Sequence, residues 1–216
     1  MPEVTLADDF GRSISKVISD NNYRINLEIG SWDGAGSTQC IIDGMKKLEP
    51  NGYNALLQCI EINPDRFKDL QNAIAIYPWA LAYNMSSINR ESFLPKSFDE
   101  VWNSEYNNLE RGVGKYPRDL VIQWYEQDVS RLTNIGFLNS SMRRPKYDAV
   151  LIDGSEFMGY SEFTLLKDSS RCFMLDDVFS AYKCSQIYHE LLKTPGWSLV
   201  CEGPHVRNGF AIFKKD

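Results

Sequence analysis

Apolar and polar residues fall into alternating blocks along this chain. Seven apolar runs have strand length, at 25–29, 55–62, 79–83, 147–154, 172–178, 197–201 and 210–213, and most are separated by stretches that suit helices. Runs this apolar belong to strands covered on both faces, and their alternation with helices predicts an α/β fold with a seven-stranded, mostly parallel sheet. Helices are expected at 37–48, stopped by Pro50 and Gly52; at 64–75, with Pro64 in the first turn; at 118–132; and at 182–192, stopped by Pro195-Gly196. Only a turn-rich segment, Gly203-Pro204 to Asn208-Gly209, separates the last two runs. They should therefore pair antiparallel.

With 216 residues the chain suits a single domain, 1–216, with a full core. The pattern loosens around 88–146, which reads as an inserted lid or acceptor segment. Trp102, Tyr106, Tyr116, Trp124 and Tyr125 fall within it. Those rings suit stacking on a sugar or flat acceptor; packing onto the sheet, or the interface of a homo-oligomer, explains them equally well. A net charge of −6 argues against a nucleic-acid partner, since Arg143-Arg144 with Lys146 and Lys214-Lys215 are only short basic patches. No apolar stretch is long enough to span a membrane, and the start Met1-Pro2-Glu3-Val4-Thr5 has no leader pattern. The five cysteines are odd in number and lack C-x-x-C spacing, so reduced thiols and a soluble, cytoplasmic protein are expected.

Candidate chemistry begins where the first apolar run meets a glycine-rich turn. Glycines permit tight turns and close approach to a ligand, and a helix starting near Gly36 offers unpaired N–H groups. Gly34-Ala35-Gly36-Ser37-Thr38-Gln39 supplies two glycines of a dinucleotide fingerprint but has Gln39 in place of the third. Four of the parallel strands end in acids: Glu28, Glu61, Asp153 and the pair Asp176-Asp177. In open α/β sheets ligands bind at such strand ends. Glu61, with Ile62 beside it, is placed to accept hydrogen bonds from both hydroxyls of a ribose; an acid near the following helix N-terminus is the plainer reading. If the fourth and fifth strands are neighbours, Asp153, Asp176 and Asp177 converge as hard oxygen ligands of the kind Mg²⁺ takes; solvated turn acids are the alternative. His189 reads as an exposed helix residue, and His205 lies in the last loop.

The string Glu28-Ile29-Gly30-Ser31-Trp32-Asp33-Gly34-Ala35-Gly36-Ser37-Thr38 resembles motif I of class I S-adenosylmethionine-dependent methyltransferases, and Glu61 matches their motif II. Asp153-Gly154-Ser155-Glu156, with Gly159-Tyr160 and Phe173-Met174-Leu175-Asp176-Asp177, resembles blocks of metal-dependent O-methyltransferases of macrolide sugars and of cephalosporin-hydroxylase-like proteins. The resemblance implies a Rossmann-like sheet. It implies cofactor contacts at Glu28, Gly30, Ser31, Gly34, Gly36, Ser37, Glu61, Ile62 and Asp153, and metal ligands at Asp153, Asp176 and Asp177. The family's acid contact to adenine is replaced by Asn84-Met85-Ser86-Ser87, from which Met85 would pack on the purine and Ser86 or Asn84 hydrogen-bond it. Glu156 stands where the family has a histidine or lysine base; a carboxylate there acts as base if burial raises its pKa, and a further metal ligand or a site that has lost activity are the alternatives.

The expected activity is O-methylation of a small hydroxylated acceptor, a sugar or natural-product intermediate, with S-adenosylmethionine as cofactor, Asp153 and Glu156 as catalytic groups and Mg²⁺ as an aid. A nicotinamide-dependent oxidoreductase is the first rival, opposed by Gln39 and the terminal hairpin. A non-catalytic cofactor-binding or assembly protein is the second.

Overall fold

A computed structural model describes residues 3–48 and 54–216; Pro50 and Gly52, the expected stop of the first predicted helix, lie outside them. Strands β1 (Ile25–Ile29), β2 (Leu56–Ile60), β3 (Ala80–Tyr83), β4 (Ala149–Ile152), β5 (Cys172–Asp176), β6 (Trp197–Gly203) and β7 (Phe210–Lys215) form one sheet in the order β3-β2-β1-β4-β5-β7-β6. Strands β1 to β5 pair in parallel. β7 runs antiparallel to both β5 and β6, so the short connection between the last two strands does what its length dictates. The expected Rossmann-like α/β architecture is thus the one adopted.

Helices α1 (Asp9–Asp20), α2 (Ser37–Leu48), α3 (Pro64–Ile74), α4 (Phe98–Trp102), α5 (Arg118–Arg131), α6 (Gly159–Leu166) and α7 (Gln186–Lys193) surround the sheet. One layer of core joins Phe10, Ile14, Ile41 and Met45 of α1 and α2 to Leu57 and Met174 of the sheet. The opposite layer packs Leu27, Ile29 and Phe173 against Phe163, Ile187 and Leu191. Among the described residues no helix is long and apolar enough to cross a membrane.

Three departures from the sequence pattern matter for the site. Helix α1 was not expected; it presents Phe10, Ile14, Val17 and Ile18 to the core at helical spacing and is capped by Asp8, whose carboxylate accepts the Gly11 amide at 2.9 Å. Helix α6 was not expected either. Thirdly, the predicted helix 182–192 is two pieces, a π-helical turn Ala181–Ser185 followed by α7. The wide turn lies against Gly159, where a Cβ would stand 2.1 Å from the Lys183 carbonyl oxygen. The two backbones touch, and the turn carries Lys183 inward.

The inserted segment shares a small core with the β4–α6 connection and the turn before α7. Val101, Val113, Val121 and Phe157 are buried together, with Phe98, Trp102, Tyr106, Trp124 and Tyr125 packed around them. The Tyr125 ring meets Phe98 at 5.7 Å and Phe157 at 5.4 Å, so most of the inserted aromatics are packing groups.

Candidate active site

Ile29 is in register with Ile60 on one side and Ile152 on the other. The residues that follow, Gly30, Glu61 and Asp153, therefore leave the sheet side by side, at the point where successive strands diverge to opposite sides of β1. This is the crevice in which doubly wound sheets hold ligands. Gly30 has φ 87°, and its amide donates to the Ile60 carbonyl at 3.0 Å. A Cβ on it would lie 2.3 Å from the Asp153 carbonyl oxygen, so only glycine lets the two loops pass.

The Glu61 carboxylate is fixed by backbone donors. The Trp32 amide reaches Oε2 at 2.9 Å and the Asn63 amide reaches Oε1 at 2.7 Å. Burial raises its pKa against these bonds. Asn63 caps α3 with its own side chain, so the cap that might have belonged to Glu61 is made two residues on, and Glu61 lines a cavity instead. Asn84, after β3, donates through Nδ2 to the carbonyls of Glu61 at 2.8 Å and Ile62 at 3.1 Å, which ties the two loops together.

That cavity has a volume of about 320 Å³, within the range of small-molecule sites. It is lined by Gly30, Glu61, Ile62, Asp153 and Glu156 from the strand ends, and by Met85 and Ser86 from the loop after β3. Trp124, Asp128 and Arg131, which share one face of α5, and Glu162 of α6 line it as well. The inserted segment thus contributes directly to the cavity. The Asp128 carboxyl is raised in pKa by burial, and accepts the Ser155 hydroxyl at 2.5 Å.

Five of the expected cofactor residues are not on the cavity wall. Glu28 is wholly buried beneath the loop, where its carboxylate accepts the hydroxyls of Ser37 at 2.6 Å and Thr38 at 2.7 Å. It binds the start of α2 to the sheet, and Ser37 is consumed in the same contact. Ser31 is buried, Gly34 (φ 75°) backs onto Leu70 of α3, and Gly36 lies beyond that turn. Gln39 folds back, its Nε2 donating to the Gly34 carbonyl at 2.7 Å.

The acids of β4 and β5 do converge: one carboxylate oxygen each from Asp153, Asp176 and Asp177 lies within 4.8 Å of the others. The positive charge among them is an ammonium. Lys183 Nζ donates to Asp177 Oδ2 at 2.6 Å and Asp153 Oδ1 at 3.0 Å, and stands 3.9 Å from Glu156 Oε1. Arg207 Nη2 donates to Asp176 at 2.8 Å. Burial opposes the charge of Lys183, but Asp177, Asp153, Glu156 and Asp176 outweigh it and hold the ammonium well above the usual lysine range. Asp177 is held below its ordinary value, because Lys183 overcomes the effect of its burial. Burial, with crowding by like charges, raises Asp153, Glu156 and Asp176. The donor set alone suits a hard divalent cation, yet as arranged, with Nζ bonded to two of its carboxylates, it does not fit one. The three acids expected as Mg²⁺ ligands are thus brought together, with the Lys183 ammonium among them.

Glu162 was missed by sequence reasoning. It is 1% exposed, its Oε1 accepts the Ser87 hydroxyl, its Oε2 has no hydrogen-bond partner, and burial pushes its pKa up to about 7. The one signal in the sequence was an acid immediately before the apolar run Phe163 to Leu166. His189 is exposed beside the rings of Tyr106 and Tyr188, and His205 is exposed in the β6–β7 loop.

The seven-stranded sheet with its antiparallel last strand, and a cavity at the ends of β1, β2 and β4, is a fold shared with solved structures designated methyltransferases. The chain is similar to a protein designated an O-methyltransferase from Klebsiella pneumoniae (TM-score 0.62, 12% identity, 100% of this chain and 84% of that one). It is also similar to an O-methyltransferase from Bacillus cereus in complex with S-adenosylhomocysteine (TM-score 0.57, 12% identity, 95% and 80%). A third likeness is to a protein designated a caffeoyl-CoA O-methyltransferase from Staphylococcus aureus (TM-score 0.55, 16% identity, 99% and 87%). No family model matches the chain, and no curated protein matches it.

Proposed function

We propose that this protein is an S-adenosylmethionine-dependent O-methyltransferase acting on a small hydroxylated acceptor, a sugar or natural-product intermediate. The observation that carries the reading is the placement of Glu61. Its carboxylate is held by two backbone amides at the lining of a cavity, one strand from a glycine whose missing Cβ leaves room for the chain to turn. Such an acid suits the two hydroxyls of a ribose, and Met85 in the same lining suits a purine face. S-adenosylmethionine bound there supplies an electrophilic methyl on a sulfonium.

The chain's own groups would do the rest. Trp124, Asp128 and Arg131 of the inserted segment would orient the acceptor, so that its hydroxyl points in line at the methyl carbon. Glu156 would take the hydroxyl proton as the new O–C bond forms and the S–C bond breaks. Burial raises its pKa, which makes its carboxylate a stronger base than an exposed glutamate. Asp153, beside it, fixes the polarity of the lining.

The test is incubation with S-adenosylmethionine and a panel of hydroxylated small molecules, following formation of S-adenosylhomocysteine. Acceptor-dependent product is expected, with kcat falling about 10²-fold or more in Glu156→Gln while cofactor affinity holds. Oxidation or reduction of a nicotinamide cofactor by the protein, with no methyl transfer, would favour the oxidoreductase instead.

A further inference from the structure

Lys183 is a charged residue that the methyl-transfer reading leaves unused, and it is 4% exposed. An ammonium has three N–H donors. Here two carboxylates accept from it, Asp177 at 2.6 Å and Asp153 at 3.0 Å, and Glu156 lies at 3.9 Å. A Mg²⁺ ion takes oxygen ligands at about 2.0–2.1 Å, and Asp153 Oδ1 and Asp177 Oδ2 are already engaged by Nζ. The remaining acid, Asp176, is already bonded to Arg207. The lysine is also held from behind. It belongs to the π turn Ala181–Ser185, whose backbone meets Gly159 so closely that no side chain fits there.

We propose that the Lys183 ammonium takes the place of a divalent cation in this site, holding Asp153 and Glu156 at the cavity wall, and that the protein works without metal. Lys183 is in this sense a positioning residue. Its part in a reaction rests on the methyl-transfer reading; the exchange of an ion for an ammonium rests on the contacts alone.

Titration with Mn²⁺, followed by the electron paramagnetic resonance of the free ion, tests it without reference to activity. The wild type is expected to leave the free-ion signal undiminished, or to bind Mn²⁺ only at places that Asp177→Asn does not affect. Lys183→Met, which keeps the length of the side chain and removes its charge, should gain a Mn²⁺ site that disappears again in Lys183→Met/Asp177→Asn. Wild-type binding abolished by Asp177→Asn would overturn the proposal, and so would a folded Lys183→Met that gains no site. Should Lys183→Met fail to fold, the comparison of wild type with Asp177→Asn decides. S-adenosylhomocysteine binding, measured on the same samples, separates the two ideas: its absence would defeat the methyltransferase reading and leave the Mn²⁺ result standing.

Discussion

Glu162 shows what a single residue inside this fold costs and offers. Its ordinary pKa of 4.5 is raised to about 7, chiefly by burial, although the Ser87 hydroxyl works in the other direction. The native state therefore holds a proton that the unfolded chain has lost between those two values. Stability from this group is complete below the unfolded pKa and declines as pH rises through the folded one. Glu162→Gln should remove that decline, so that in urea melts the variant gains on the wild type by up to about 3 kcal/mol as pH is raised from 4.5 to above 7. A difference that does not vary with pH would show that the carboxyl ionises freely in the fold. Of the site residues, Gly30, Glu61, Asp153 and Glu156 were legible because each ends a strand or follows one, and register alone brings strand ends together. Glu162, Asp128 and Lys183 were not, because they reach the site from helices whose orientation is set by packing. Glu28 lies near the end of β1 too, but its oxygens accept the hydroxyls of Ser37 and Thr38, nine and ten residues on, away from the cavity.

At the level of elements, the π turn before α7 is the feature that apolar periodicity cannot foresee. A helix over 182–192 and the observed π turn plus α7 share most of their buried positions; what differs is the extra residue that turns Lys183 inward. Helix α6 escaped notice because it has only eight residues and opens on Gly159, a residue that reads as a turn signal. Here that glycine is a contact surface. Gly159→Ala should destabilise the protein by about 2 kcal/mol or more, because its Cβ would meet backbone rather than a side chain that can move. Gly196→Ala is the control. Its φ of 81° disfavours alanine, a backbone penalty of about 1–2 kcal/mol that Gly159 does not carry, but nothing lies within 4 Å, so no steric cost is added. Thermal melts in which the two variants behave alike would remove the argument for a tight α6–turn contact.

For the molecule as a whole, the sheet was the legible part. Strand length, the alternation of strands with helices, and the short final connection were sufficient to give its seven strands and their directions. Core burial follows from it and is open to measurement. Cys40, Cys59, Cys172 and Cys184 are buried and Cys201 is partly so, and burial raises the pKa of all five thiols. Thiol titration of the native protein should label Cys201 first and the others only after denaturation; rapid labelling of all five would contradict the packing of α2 and β2 described above. The central claim is that the cavity at the ends of β1, β2 and β4 is built for S-adenosylmethionine, with Glu61 on its ribose. Calorimetric titration with S-adenosylhomocysteine tests it most directly. The wild type should bind one equivalent, and Glu61→Ala should weaken binding by at least about 1.5 kcal/mol, the scale of a hydrogen bond to a charged group. Absence of binding to the wild type, or equal affinity in the two proteins, would contradict it.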